Sequence, residues 1–481
     1  DGLYTPYMVS LYDKRVKINP HPDRIADFII HDHYILTYKD TMFVYRDGYY
    51  RAEQETITDI VTRTLNDICK GDNSNNISRK ISDVIAQIQT KTRVHEYPFN
   101  TYKNAFPVEN GVLIFDFENK KCELVDHDPA VYKFNFKIPV KFDTEAGTEN
   151  ALNLLRSYVD NPIDLIEIPA QSFMQAMGHG PYKRGYAIQG VKNTGKSSFM
   201  EFLEKFIGAD MRSDVSLEQI NERFQVASVE GKLLNMHDDV GLFTMKNAGT
   251  FKELTGSKTH RVERKGKDSY DAILFAVHVF TMNLPAKYDD TIRVDEAFWE
   301  RFSFIVFANK FEKDGDFQHR THTPETMSQF LNLVIAEMLN IGNTGRLSHE
   351  IDWYETREKW TLAGNRLYAM VNDLMEPEYL NIDSKSSRGT AFIKEELLNT
   401  LQRWCFAQNM DIRTIPDSTT DLTKLVNACG WESDSRRIFK GIEYEKHCYV
   451  IPYKWKNTVE ALKYSTKVTD VQQYQRVINI H

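Results

Sequence analysis

The alternation of apolar and polar positions divides the chain into stretches of different period. "TMFVYRDGYYRA" alternates about Asp47-Gly48, a favoured two-residue turn, and predicts a pair of short strands. Apolar residues then recur at helical spacing over roughly Glu55–Lys70 and Ile77–Thr92, with the breaker "GDNSNN" between them. "GVLIFDFENKKCELVDH" returns to strand, turn, strand. No residues here form a recognisable catalytic set, so residues 1–148 are expected to be an α+β packing or assembly domain. "HDH" (His31–His33) and "HRTH" (His319–His322) read as ordinary polar turns rather than metal sites.

Two helical patterns lead from Asn150 to Gly180. Strand-like apolar runs follow at "GYAIQ", "KLLNMHD", "AILFAVHVFTMN" and "FSFIVFA", which predicts an α/β domain over residues 149–347. The longest run, "AILFAVHVFTM" (Ala272–Met282), is too short for a membrane span and fits one buried strand. Residues 348–387 read as a helical connector, with a polar linker at "NIDSKSSRGT" (Asn381–Thr390). From residue 388 to 481 two helices, "AFIKEELLNTLQRWCFAQN" and "DLTKLVNAC", precede a strand pair around Gly441. That order is winged-helix-like.

Length and composition bound the reading. A chain of 481 residues exceeds one ordinary core, and 41% hydrophobic with 27% charged residues describes a soluble globular protein of two to four domains. Cys69, Cys122, Cys405, Cys429 and Cys448 are scattered, odd in number and never spaced C-x-x-C. They point away from a disulfide framework or a zinc site and toward a reducing, cytoplasmic compartment. A net charge of −8 argues against a surface that coats nucleic acid throughout, and leaves room for a focused basic channel. The first residue is Asp1, so a longer parent polypeptide is expected.

The chemistry concentrates after "GYAIQ". Gly190, Val191, Lys192, Asn193, Thr194, Gly195, Lys196 and Ser197 match G-x-x-x-x-G-K-[ST] in full, and Ser198 follows. Such a loop turns several backbone N–H groups onto phosphate oxygens, with glycines where side chains would collide and a helix dipole aimed at the same anion. Lys196 supplies a cation to the outer phosphates, and the Ser197 hydroxyl can ligate Mg2+. Phe199, Phe202, Leu203 and Phe206 form an apolar stripe behind it. ATP with Mg2+ is the expected ligand.

"KLLNMHDDVG" then delivers Asp238-Asp239 at the end of an apolar run. On a strand, neighbouring side chains face opposite ways, so the two acids divide their work. Asp238 is assigned to the metal and Asp239 to the attacking water, with the reverse order open. "FAVHVFTMN" repeats the pattern and ends in Asn283, whose amide can orient water without adding charge. In "DEAFWERFSFIVF", Arg301 can stabilise transition-state charge from a neighbouring subunit. The plainer alternative is an ion pair with Glu300 or Asp295.

Between the acids and Asn283 lies "FKELTGSKTHRVERKGKDSYDA", whose Lys252–Lys267 segment is net +4. "THRVER" and "YDAIL" read as strands around "KGKDS", which would lift Arg264, Lys265 and Lys267 on a hairpin. In a ring such tips present cations to a threaded phosphate backbone.

This order of elements resembles the superfamily 3 helicases, in particular the phage, plasmid and poxvirus-type primase-helicases. "FKELTGSKTHRVERKGK", "FTMNLP" and "RFSFIVFANKF" carry the resemblance most specifically. "VENGVLIFDFENKKCELVDHDPAVYKFNFKIPVKFD" and the segment from "AFIKEELLNTLQRWC" to "GIEYEKHCYVIPY" carry it more weakly. The resemblance implies an AAA+ core, a central parallel sheet flanked by helices, assembled as a hexameric ring. It implies translocation 3′ to 5′ on single-stranded DNA and opening of forked duplex during viral or mobile-element replication. It gives Lys196, Ser197, Asp238, Asp239, Asn283 and Arg301 the roles above, and Lys265 or Lys267 the pore contact. Ser257 stands where the subgroup often has a second glycine, so the entry to the hairpin is expected to differ. Family members often carry a primase-polymerase domain ahead of the motor. Its acidic metal site is not found here, so no primase activity is expected of these residues. The alternatives are a replication initiator that binds origin DNA under ATP control without separating strands, a small-molecule kinase, and a protein-remodelling AAA+ machine.

Overall fold

The computed structural model describes residues 7–12, 15–69, 77–222, 224–241, 243–264, 268–377, 390–408, 410, 415–429, 431–434, 438–439, 442–443, 448–451, 453–464 and 469–470. Five strands build the central sheet: β1 (Gly185–Gln189), β2 (Arg212–Ser213), β3 (Leu234–His237), β4 (Val277–Met282) and β5 (Phe302–Val306). They run parallel in the order β2-β3-β4-β1-β5. Every residue of β1 and β4 is buried, as an apolar run must be when a parallel sheet is covered on both faces.

On one face Tyr186, Ile188, Val277 and Val279 join a core with Phe173, Phe206 and Phe330, drawn from the helices Ile163–Ala176, Lys196–Ile207 and Pro324–Thr344. On the other, Ala187, Phe280 and Met282 meet Phe251, Phe298, Trp299 and Trp360. The result is three layers with the sheet in the middle. Phe199, Phe202, Leu203 and Phe206 are fully buried, so the stripe after the P-loop is the face that this helix turns inward.

One expected element divides. The run Ala272–Met282 is not a single strand: Tyr270–Ile273 pairs with Thr259–Val262 as an antiparallel hairpin, and β4 begins afresh at Val277. Ile273 is 63% exposed, so apolar content across this stretch reflects two elements in different environments.

The N-terminal helices Pro22–Asp32, Gln54–Cys69 and Ile77–Lys91 enclose their own core of Ile25, Ile29, Val61, Leu65, Val84 and Ile88. A four-stranded sheet lies against them, and its hairpin turns at Asp47 (φ 52) and Gly48 (φ 94), the left-handed pair the sequence called for. His31 closes the last turn of the first of these helices, and His319 lies in the helix Phe317–Thr321. The strands Ala105–Val108, Gly111–Asp116 and Lys121–Val125 turn instead toward the central sheet's core, where Phe106 stacks on Phe173 at 4.2 Å. Buried contact therefore runs across residue 148.

At the other end, the strand Thr390–Ile393, the helices Lys394–Ala407 and Thr419–Ala428, and the strands Glu432–Asp434 and Cys448–Ile451 surround Phe392, Leu401, Trp404, Val426 and Tyr449. Leu367, Met370 and Leu374 of the helix Arg366–Leu374 belong to this same core. Ile438–Phe439 pairs with Ile442–Glu443, while Gly441 between them and all of the linker except Thr390 lie outside the described residues. Among the described residues no helix is long and apolar enough to cross a membrane.

Candidate nucleotide site

In parallel α/β sheets the ligand crevice lies beyond the carboxyl ends of the strands. Three adjacent strands here, β3, β4 and β1, end in the acid pair, Asn283 and the P-loop, respectively. Sequence-predicted residues separated by nearly a hundred positions thus converge.

The loop's glycines are sterically required. A Cβ at Gly190 would lie 2.4 Å from Thr194 Oγ1 and 2.7 Å from the Phe307 carbonyl oxygen. At Gly195, where φ is 86°, it would lie 2.6 Å from the Tyr158 ring. Asn193 adopts φ 67° and accepts a backbone hydrogen bond from Phe311 N–H at 2.8 Å. Phe307 N–H donates to Gln189 O at 2.7 Å, so the chain after β5 runs along the outside of the loop. Tyr158 stacks on Phe307 with ring centroids 5.2 Å apart and meets Phe311 edge-on, and its hydroxyl lies 3.3 Å from Ser198 Oγ. This aromatic bracket fixes the loop from beneath. Lys192 and Ser197 are exposed on the loop and the first helical turn, and Val191 is half-buried.

Lys196 is the centre of the site. Its Nζ donates to Gly190 O (2.7 Å), Val191 O (3.1 Å) and Asn283 Oδ1 (3.0 Å). Burial pushes the ammonium down to about 8, against the pull of Asp238 and Asp239. Asn283 in turn donates from Nδ2 to Asp239 Oδ1 at 2.9 Å. The amide is oriented by charge at both ends, oxygen to the ammonium and nitrogen to the carboxylate, and forms a relay from Lys196 to Asp239.

The acids do not sit on the strand, as the alternation argument expected. β3 stops at His237, Asp238 and Asp239 follow, and Asp239 takes a left-handed φ of 57°. Their separation comes from that turn and from Thr281, which the sequence reading missed. The Thr281 hydroxyl, fully buried on β4, donates to Asp238 Oδ1 and accepts from Asp239 N–H at 2.9 Å. The only sequence signal was position: Thr281 precedes Asn283 by two residues and faces the acids through the β3–β4 register, in which His237 pairs with Phe280.

Among the described residues no three His, Cys, Asp or Glu side chains cluster as a metal site. One hydroxyl and one carboxylate, Ser197 and Asp238, suit Mg2+, a hard cation that keeps water and takes its remaining ligands from phosphates.

Arg301 is not brought to this group. It precedes β5, and its carbonyl accepts from Gly185 N–H at 2.7 Å. β1 and β5 are in register from Gly185–Phe302 to Gln189–Val306, so Arg301 lies at the opposite end of the sheet, about 20 Å along the strands from the P-loop. Its guanidinium donates to Ala297 O, and its buried Nε has no hydrogen-bond partner among the described residues.

The basic segment is less free than its sequence implied. Lys252 lies on the helix Gly249–Gly256 and pairs with Asp295 at 2.6 Å. Lys258 donates to Gly178 O, Arg261 pairs with Asp271 at 3.4 Å, and Arg264 pairs with Glu230 at 2.6 Å. Lys265 and Lys267 lie outside the described residues.

Beside the P-loop opens a cavity of about 450 Å3 that the sequence did not reveal. Gly190, Val191 and Phe307 line one side, and Leu362, Tyr368 and Met375 the other. Its walls come from the central-sheet domain and from the helices Trp353–Gly364 and Arg366–Leu374, the second of which belongs to the C-terminal core.

Comparison with known proteins adds two matches. A family described as "D5 N terminal like" matches residues 24–176. A "Family of unknown function (DUF5906)" matches residues 188–293, which include the P-loop, both acids and Asn283. No curated protein matches the chain. Among solved structures, an A-form apo structure of the NrS-1 C terminal region aligns with a TM-score of 0.39 and 12% identity, over 90% of this chain and 100% of that one. An A-form apo structure of that region's residues 305–718 gives a TM-score of 0.38 and 14% identity, over 89% and 99%. Scores at this level do not identify a fold, and the architecture above stands on this chain's own strand order.

Proposed function

We propose that this chain is an ATP-driven DNA helicase motor, an AAA+ ATPase of the superfamily 3 type working in viral, phage or mobile-element replication. The observation that carries the reading is the relay Lys196–Asn283–Asp239 across the ends of three neighbouring parallel strands. A P-loop alone would hold a triphosphate. A P-loop whose lysine is joined through an amide to a carboxylate also has the means to place a water against the outer phosphate.

In this reading the loop from Gly190 to Ser198 binds the triphosphate, and the neighbouring cavity takes the base. Ser197 and Asp238 would hold Mg2+, which supplies charge neutralisation between the phosphates. Asp239 accepts the proton of the attacking water and Asn283 fixes that water's orientation, the assignment of the two acids being the one made from sequence.

Arg301 lies at the far end of the sheet from the P-loop of its own chain, which supports its use by a neighbouring copy and hence a ring, with a hexamer the expected size. The hairpin Thr259–Ile273 joins the acid-bearing segment to the Asn283-bearing strand, so hydrolysis at the strand ends can move it against single-stranded DNA. The D5 N terminal-like match over residues 24–176 supports the replication setting, and the strand–helix–helix–strand order from Thr390, in which residues 391–393, expected to be helical, belong to a strand instead, supports a winged-helix-like module.

ATP turnover with and without single-stranded DNA tests this reading. Turnover that rises several-fold with DNA supports it. Turnover indifferent to DNA sinks the motor reading and favours a kinase-like use of the site.

A further inference from the structure

The tip of an N-terminal hairpin meets the end of the motor hairpin, and the side chains there alternate rings with cations. Tyr97 is 45% exposed and lies edge-on to Tyr38 at 5.5 Å. Lys39, at the turn between Ile35–Tyr38 and Thr41–Arg46, places Nζ 5.3 Å from the Tyr38 ring and 5.8 Å from the Tyr270 ring. Arg264 Cζ lies 5.8 Å from the same Tyr270 ring. Three segments distant in sequence thus build one row, Tyr97–Tyr38–Lys39–Tyr270–Arg264. Glu230 closes its end: one carboxylate oxygen accepts from Arg264 at 2.6 Å and from the Tyr270 hydroxyl at 2.5 Å.

The geometry points to a platform for single-stranded polynucleotide made jointly by the N-terminal domain and the motor, with Glu230 holding the place of a phosphate. Aromatic faces that stack bases, interleaved with cations that track the backbone, are the chemistry such strands require. Lys39 has no ion pair among the described residues and is available to a phosphodiester. Arg264 is not: Glu230 offers the same charge-assisted acceptor that a phosphate oxygen would, so strand binding must displace it. Glu230 lies four residues ahead of β3, on the segment that leads to Asp238 and Asp239.

The inference rests on the DNA-motor reading and adds Tyr38, Lys39, Tyr97, Tyr270 and Glu230 to it. The test is fluorescence anisotropy with a fluorescein-labelled oligothymidylate across a KCl series. The proteins are the wild-type chain and its Tyr97→Leu, Lys39→Ala and Glu230→Gln variants, with unfolding midpoints as the check on folding. Tyr97→Leu should weaken binding about tenfold, the range of one lost base stack. Lys39→Ala should weaken it and reduce the salt slope by about one. Glu230→Gln should tighten it several-fold. Folded Tyr97→Leu and Lys39→Ala proteins that bind as wild type overturn the platform while leaving the motor reading intact. A Glu230→Gln protein that binds more weakly than wild type overturns the displacement. A wild-type chain that ignores the oligonucleotide at every salt concentration takes down both.

Discussion

Thr281→Val tests the site without altering any charged group. Valine preserves the shape of a fully buried threonine and removes its hydroxyl, which serves both Asp238 Oδ1 and Asp239 N–H. A hydrogen bond to an ionised carboxylate contributes about 1.5–3 kcal/mol, and a buried N–H left without a partner costs a comparable amount. Asp238 can recover part of this from water, so a total of about 3 kcal/mol is expected, shared between folding and turnover. If half or more appears in the transition state, turnover falls roughly tenfold to a hundredfold. Phosphate release at saturating ATP, with Mg2+ titrated, measures that loss, and a thermal scan measures the rest. Thr281→Ser keeps the hydroxyl and should restore most of both. A Thr281→Val protein with wild-type turnover and wild-type unfolding would refute the claim that this hydroxyl places the acids.

Three further outcomes follow from the same geometry. Asp239→Asn should keep nucleotide binding and lose hydrolysis by a factor of about a thousand, read by comparing equilibrium binding with turnover. With the Lys196 ammonium pushed down to about 8, nucleotide binding requires its charged form, so the association constant should be level below that value and fall up to tenfold per pH unit above it. The sign is testable by calorimetry across pH 7 to 9.5, where a flat profile contradicts a buried, depressed lysine. Mixing Arg301→Ala protein with Lys196→Ala protein should recover part of the lost turnover, because an intact P-loop from one copy then meets an intact arginine from another. No recovery at any ratio would place Arg301 outside the hydrolysis site.

What the sequence disclosed and what it hid divide along a physical line. The P-loop, the acid pair and Asn283 were legible because each is a short local pattern at a strand end, and parallel strand ends meet on one edge of a sheet. Thr281 and Tyr158 were not. Their partners lie 42 and 40 residues away, joined through strand register and aromatic contact that no local period encodes. Apolar content alone cannot separate one long strand from two short ones, and so Ala272–Met282 divided at residues 274–276. The basic segment likewise gave its charge correctly while concealing that Lys252, Lys258, Arg261 and Arg264 each hold a partner within the chain. The cavity beside Val191 needed the helix Arg366–Leu374 folded back on the loop, which only the tertiary structure shows.

The central claim is that nucleotide consumed at this strand edge separates DNA strands. Displacement of the labelled strand from a forked duplex, with ATP and Mg2+ and with Lys196→Ala as the control, measures it most directly. Release by the wild-type chain is expected only while ATP is being hydrolysed, and none by the variant. Wild-type protein that hydrolyses ATP, binds the fork and leaves it paired would contradict the account and favour an initiator that uses ATP to assemble on DNA.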